Sequence, residues 1–202
     1  MVQELNEEKA MGNYISIGIV YSDKNRNDFD IDLNYFITML KETTKRITVS
    51  FPKDNSFNEW SSREFYPDNY WEVFSILEQN NMAVGEFVYT FCEKKYRLRI
   101  LVKQDKNKYL GILFEICAED LINNSTTNTQ CITNKIIKFL EKLSGVLNFA
   151  YAFCDNEADI EYSPAEILKM NKAIYSILVL NEGKRDPKVL LGSWCIDGLT
   201  PQ

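Results

Sequence analysis

The stretch FCDNEADIEYSP, residues 153–164, sets Asp155, Glu157, Asp159 and Glu161 at every second position with no basic residue between them, and Glu166 follows shortly after. Carboxylates at this density suit three chemistries: holding a hard cation, acid–base catalysis by a pair, or attraction of a cationic partner. Each makes a demand that the spacing can be held to. With Asp155 as the first position of a calcium loop, Glu157, Asp159, Glu161, Ser163 and Glu166 fall on the ligand positions. The sixth position needs glycine for the sharp turn and carries Ile160, and the tenth carries Pro164, so no metal is expected. A catalytic pair needs two carboxylates in different environments across a cleft, whereas acids alternating in one local run share a surface. Two readings remain for this run. It is an ordinary solvated strand-to-helix loop, or a docking surface whose carboxylates steer a basic partner. Ser163 and Glu166 have a separate task. S-P-A-E is a capping box with Pro164 at the first helical position, and it starts a helix.

The chain has no histidine. Ser-His-Asp and Cys-His machinery are therefore excluded, as is a histidine base or metal ligand. GxGxxG, P-loop and GxSxG patterns are also missing, so neither enzymatic activity nor a cofactor is expected. The cysteines number five, with no CxxC pair, and read as reduced core residues.

Two further stretches deserve a functional reading beside the ordinary one. The polar segment KDNSFNEWSSREFY, 53–66, and the residues after it are rich in aromatics. Most such rings fold back on a core, but Trp60, Tyr66, Tyr70 and Trp71 together are also what an interface hot spot uses, and they are the candidate partner contacts alongside the four acids. In EKKYRLRILVK, 93–103, Lys95, Arg97, Arg99 and Lys103 alternate with Tyr96, Leu98, Ile100 and Val102. That is a strand with a basic wet face and an apolar inner face. It carries no RNA-recognition signature, and a net charge of −6 opposes nucleic-acid binding.

The elements that must position these residues follow from periodicity. NYISIGIVYS, 13–22, reads as a buried strand. Phe29, Leu33, Phe36, Ile37 and Leu40 mark one face of a helix over 27–44. KRITVSFP, 45–52, is a strand, 53–66 a loop, and a helix starts near Pro67. Strands at 84–93, 95–104 and 108–117 form an antiparallel meander. A helix over 131–144 ends at Gly145, a strand runs 147–154, the capped helix starts after Ser163, and a strand runs 173–180, with one more possible over 188–196. The fold class is α+β: a mainly antiparallel or mixed sheet in the order β-α-β-α-β-β-β-α-β-α-β, with about four helices packed on one face. Gly18 and Gly111 fall inside strands, where glycine marks close approach or a bulge.

The chain has 202 residues, 45% hydrophobic and 13% aromatic. This is enough for one large packed domain without disulfide or metal. Residues 1–11 are expected to be a mobile arm and 12–202 the domain. With no signal-peptide pattern and no apolar run of membrane-spanning length, the expected location is cytoplasmic, with no membrane partner.

With these pieces placed, MGNYISIGIVYS, the meander GEFVYTFCEKKYRLRILVK with YLGILFEICAEDLI, and the helix–strand IIKFLEKLSGVLNFAYAFCD resemble bacterial immunity proteins of polymorphic-toxin systems in layout. The resemblance spans roughly residues 11–180 and leaves the final segment KRDPKVLLGSWCIDGLTPQ outside it. It implies a small cytosolic protein that binds and blocks a cognate toxin domain, with no catalytic residues of its own. The acidity implies that such a partner is basic. The competing reading is a small-molecule-binding or regulatory α+β domain, which a closed apolar pocket with converging polar groups would favour.

Overall fold

The computed structural model describes residues 13–53, 58–91, 94–105, 108–123, 129–170, 172–181 and 187–202. The arm expected over 1–11 lies outside them. Among the described residues the first strand, β1 (Tyr14–Ser22), is buried almost throughout, as its apolar run requires. Helix α1 (Arg26–Thr43) turns Phe29, Asp32, Phe36 and Leu40 inward, has Asp28 in its first turn and Lys41 in its last, and ends where Thr44 becomes extended. β2 (Ile47–Pro52), β3 (Trp60–Phe65), α2 (Tyr70–Gln79), β4 (Val84–Phe91), β5 (Lys94–Asp105) and β6 (Tyr109–Cys117) follow. The chain continues through α3 (Thr129–Ser144), β7 (Tyr151–Asn156), α4 (Pro164–Ile167), β8 (Ile177–Leu180) and β9 (Lys188–Leu191).

The strands make one sheet in the order β3-β2-β4-β5-β6-β1-β7-β8-β9. Every described neighbouring pair is antiparallel. The expected order lacked β3, because residues 53–66 read as a loop. In β3 only Phe65 is buried, so it lacks the apolar alternation of a half-buried strand. The further strand held possible over 188–196 is present as β9, with none of its residues buried. β7 and β8 also begin four residues later than expected. Leu147, Phe149 and Tyr175 are buried, but they sit in the irregular entries to those strands.

Alternation along the strands builds two cores. Ile15, Ile17, Ile19 and Tyr21 of β1 face α1, α2 and α3, which cover one side of the sheet. Val20, Leu101, Leu113, Tyr151, Phe153, Leu178 and Leu180 face the other side, where Ile160, Ile167 and Tyr175 pack on them. The helices therefore do not all share one face: α4, which carries Ile167, lies opposite the other three. Its four residues are too short to show an apolar stripe, so periodicity could not assign it a side.

Gly18 and Gly111 mark close approaches on this second side. A Cβ on Gly18 would lie 2.1 Å from the Phe153 ring. That ring stacks on Tyr175 with centroids 4.0 Å apart. On the helix side, Asp32 is buried and its Oδ2 accepts from the Tyr21 hydroxyl at 2.9 Å and from the Asn148 N–H at 2.8 Å. Burial raises its pKa above the ordinary carboxylate value, and the two donors partly offset the rise. Cys117, Cys131, Cys154 and Cys195 are unbridged, and burial pushes the Cys154 thiol well up.

Candidate partner-binding surfaces

After β7 the chain reverses at Glu157, which has φ 50°, and runs back over the second face of the sheet. The reversal separates the four acids. Asp155 points inward and is 8% exposed. Its carboxylate accepts from the Trp194 indole N–H at 3.0 and 3.2 Å, from the Ser176 N–H at 3.0 Å and from the Asn156 N–H at 2.8 Å. Asp155 thus ties the C-terminal segment to the sheet. Glu157, Asp159 and Glu161 are exposed.

What holds those three acids up is the loop backbone. Ile160 is 4% exposed. It packs into the space over Gly111, where an added Cβ would come within 2.5 Å of the Ile160 Cδ1. Three tyrosine hydroxyls donate to loop carbonyls: Tyr175 to Asp159 at 3.3 Å, Tyr109 to Ile160 at 2.9 Å and Tyr151 to Tyr162 at 2.5 Å. Burial raises the pKa of all three, so the hydroxyls stay protonated and remain donors. Lys103 pairs with Asp159 at 2.9 Å. At the far end Ser163 and Glu166 form the expected capping box under Pro164, which starts α4. Position six of the discarded calcium count, Ile160, is therefore the anchor of the loop. An apolar residue inside an acidic run was the one signal of this that the sequence carried.

The aromatic candidates divide in the same way. Tyr70 is fully buried, and its hydroxyl donates to the Thr44 carbonyl at 3.0 Å. Trp60 (45% exposed), Tyr66 (57%) and Trp71 (61%) remain at the surface, at or beside the β3 edge. That edge is three strand positions from β5, where Lys103 meets Asp159, roughly 14 Å at ~4.8 Å per strand, so these rings and the acidic loop do not form one patch.

The basic alternation of β5 behaves as a wet face. Lys95 and Arg97 are exposed. Arg99 pairs with Glu115 at 2.9 Å and stands 4.9 Å over the Tyr14 ring. Lys45, Arg46, Lys95 and Arg97 line an open groove together with Glu64 and Glu86. Between α1, α3 and the sheet lies an apolar slot of about 40 Å³, lined by residues such as Phe36, Met39, Phe114 and Phe139. That is room for about one water, whose share of liquid volume is roughly 30 Å³. The Tyr89 hydroxyl on its wall is turned to the Met39 sulfur at 3.7 Å, so this slot lacks the converging polar groups of a small-molecule site. Among the described residues no group of three or more Cys, Asp or Glu is placed to hold a metal. None of the described helices is long and apolar enough to cross a membrane.

Among known proteins, a family model described as immunity protein 64 matches residues 11–202. No curated protein and no solved structure matches the chain. The family match takes in the β1 opening, the meander and the α3–β7 unit, and it extends through the C-terminal segment that Asp155 ties down. Covering nearly the whole chain, it shows that the protein belongs to the immunity protein 64 family.

Proposed function

We propose that the protein neutralises a cognate toxin domain in the cytoplasm of the producing bacterium, by binding and occlusion and without catalysis. The observation that carries this reading is the acidic loop. Glu157, Asp159 and Glu161 stand on a backbone already held by Ile160, Tyr109, Tyr151 and Tyr175. A loop ordered before binding spares the association that entropy cost. Three projecting carboxylates select a basic face on the partner and speed the encounter at low salt.

Asp155 has no part in the contact, because its oxygens are used inside the protein. The test is the double variant Glu157→Lys, Glu161→Lys, which leaves Asp155, Asp159 and the Lys103 pair in place. Affinity for the cognate toxin domain should fall at least about a hundredfold, roughly tenfold or more for each reversed charge. The loss should shrink as salt is added. Unchanged affinity and unchanged protection of growth in cells expressing the toxin would remove the acidic loop from the mechanism.

A further inference from the structure

We infer that the outer edge of β3 pairs with the β3 edge of a second copy of this chain, antiparallel and about a two-fold axis at Ser62. The inference is independent of the toxin reading and begins with the phase of the β2–β3 ladder. Lys53 N–H donates to the Glu59 carbonyl at 2.9 Å, so residues 53 and 59 form a hydrogen-bonded pair. By alternation Phe51–Ser61, Val49–Arg63 and Ile47–Phe65 are the other bonded pairs of this register. Pro52, which has no N–H to give, falls on the non-bonded position opposite Trp60. The backbone N–H and C=O of Ser62 and Glu64 therefore point away from β2, towards the side on which the sheet ends among the described residues.

Natural sheets guard such an edge with proline, charged side chains (lysine above all), a bulge or a very short strand. β3 has six residues, WSSREF, with no proline, lysine or bulge, and its two charges, Arg63 and Glu64, are of opposite sign. The opposite edge is different. β9 has four residues, and the segment after it folds back on itself through a bridge between Trp194 and Pro201.

The register with a second copy follows from charge. An axis at Ser62 sets Ser62 opposite Ser62, Arg63 opposite Ser61, and Glu64 opposite Trp60, with no like charges facing one another. An axis at Arg63 sets two arginines face to face, and one at Glu64 sets two glutamates, both unfavourable. An axis at Ser61 overlaps only Trp60–Ser62 of the strand. In the Ser62 register, the Trp60 ring of each copy lies beside the Arg46–Glu64 pair of the other, a 2.9 Å pair on the same face of the sheet. A guanidinium held there suits an aromatic face. On the helix side α2 runs behind this edge, packing across β2, β3, β4 and, most extensively, β5, with Trp71 exposed in its first turn.

The net charge of −6 opposes association. Yet the nearest acid of the loop, Asp159, stands on Lys103 of β5, three strand positions from β3 and roughly 14 Å away, beyond a Debye length of about 8 Å at physiological salt. The joined sheet leaves both acidic loops open.

Sedimentation of the full chain from low to several hundred micromolar should show a reversible dimer. Ser62→Pro removes an outward N–H and leaves the β2 ladder intact, so it should weaken dimerisation at least about tenfold with the fold unchanged. Ser62→Lys puts two ammonium groups on the axis and should weaken it in a manner that added salt partly reverses. A monomer at every concentration overturns the inference, and so does a dimer indifferent to both variants. If the chain is monomeric alone and its Ser62 and Glu64 amides gain exchange protection only with a toxin domain, the edge belongs to the toxin and the inference is likewise wrong.

Discussion

Ile160→Ala tests whether a single apolar side chain holds the acidic loop in place. Ile160 is buried to 4% exposure among Val20, Leu113, Tyr151, Phe153 and Tyr175. Truncating a buried isoleucine to alanine costs about 2–5 kcal/mol, the larger values where the surroundings cannot collapse. Here one wall is rigid. Gly111 and its neighbours are locked into β6 between β5 and β1, and the stacked Phe153–Tyr175 rings close another side. The loop wall can move inward, tethered by the three tyrosine hydroxyls. An intermediate loss of about 3 kcal/mol follows. For a chain of this length that corresponds to a fall in Tm of roughly 6–12 °C. Urea denaturation with an unchanged slope, together with calorimetry, would measure it. Amide exchange should accelerate over residues 157–162. On the proposed function, affinity for the toxin domain should also fall, although the Ile160 side chain is buried, because the loop must then be ordered on binding. A stability loss below about 1 kcal/mol with unchanged exchange would refute this reasoning and leave the hydroxyls as the sole support.

Two substitutions probe the buried carboxylates. Asp155→Asn turns an amide N–H₂ towards at least one of three donors, the Trp194 indole, the Ser176 N–H and the Asn156 N–H, and should cost about 1–3 kcal/mol. Trp194 fluorescence should shift to the red as the C-terminal segment loosens; an unshifted spectrum at unchanged stability would count against the tether. Asp32→Asn keeps one oxygen able to accept from both Tyr21 and Asn148, so the mutant should fold. The folded-state pKa of Asp32 lies above its ordinary value of 3.8. Its contribution is therefore fullest below that ordinary value and is lost as pH rises through the elevated one. Relative to Asp32→Asn, the wild type should lose stability over this acid-to-neutral window, and parallel stability–pH curves for the two proteins would contradict the assignment.

Much of the architecture was legible because burial writes itself as a period. The stripe at Phe29, Phe36 and Leu40 announced α1, and the alternation Tyr96, Leu98, Ile100, Val102 announced the inner face of β5. S-P-A-E announced the start of α4 through local hydrogen bonding alone. The β3 edge was not legible. β3 buries only Phe65, so its WSSREF sequence gives no reason to prefer a strand over a loop. Among the candidate contacts, residue type also failed to separate interior from surface. Tyr70 and Trp71 are adjacent aromatics, yet helix geometry buries the first and exposes the second.

By itself, then, the sequence determined an acidic, histidine-free α+β protein with a central meander, a capped short helix and a dense run of carboxylates. Those are consequences of composition and of short-range periodicity. Only the tertiary structure decided that the carboxylate run divides. The chain reverses at Glu157, Asp155 meets Trp194 across a sequence separation of 39, and Tyr109, Tyr151 and Tyr175 converge on one loop from three different segments. Contacts between distant segments depend on strand order and register, which no local pattern encodes. The calcium count of FCDNEADIEYSP therefore failed at the residue that matters most to the loop: Ile160 turns inward, and Glu157, Asp159 and Glu161 are left facing out.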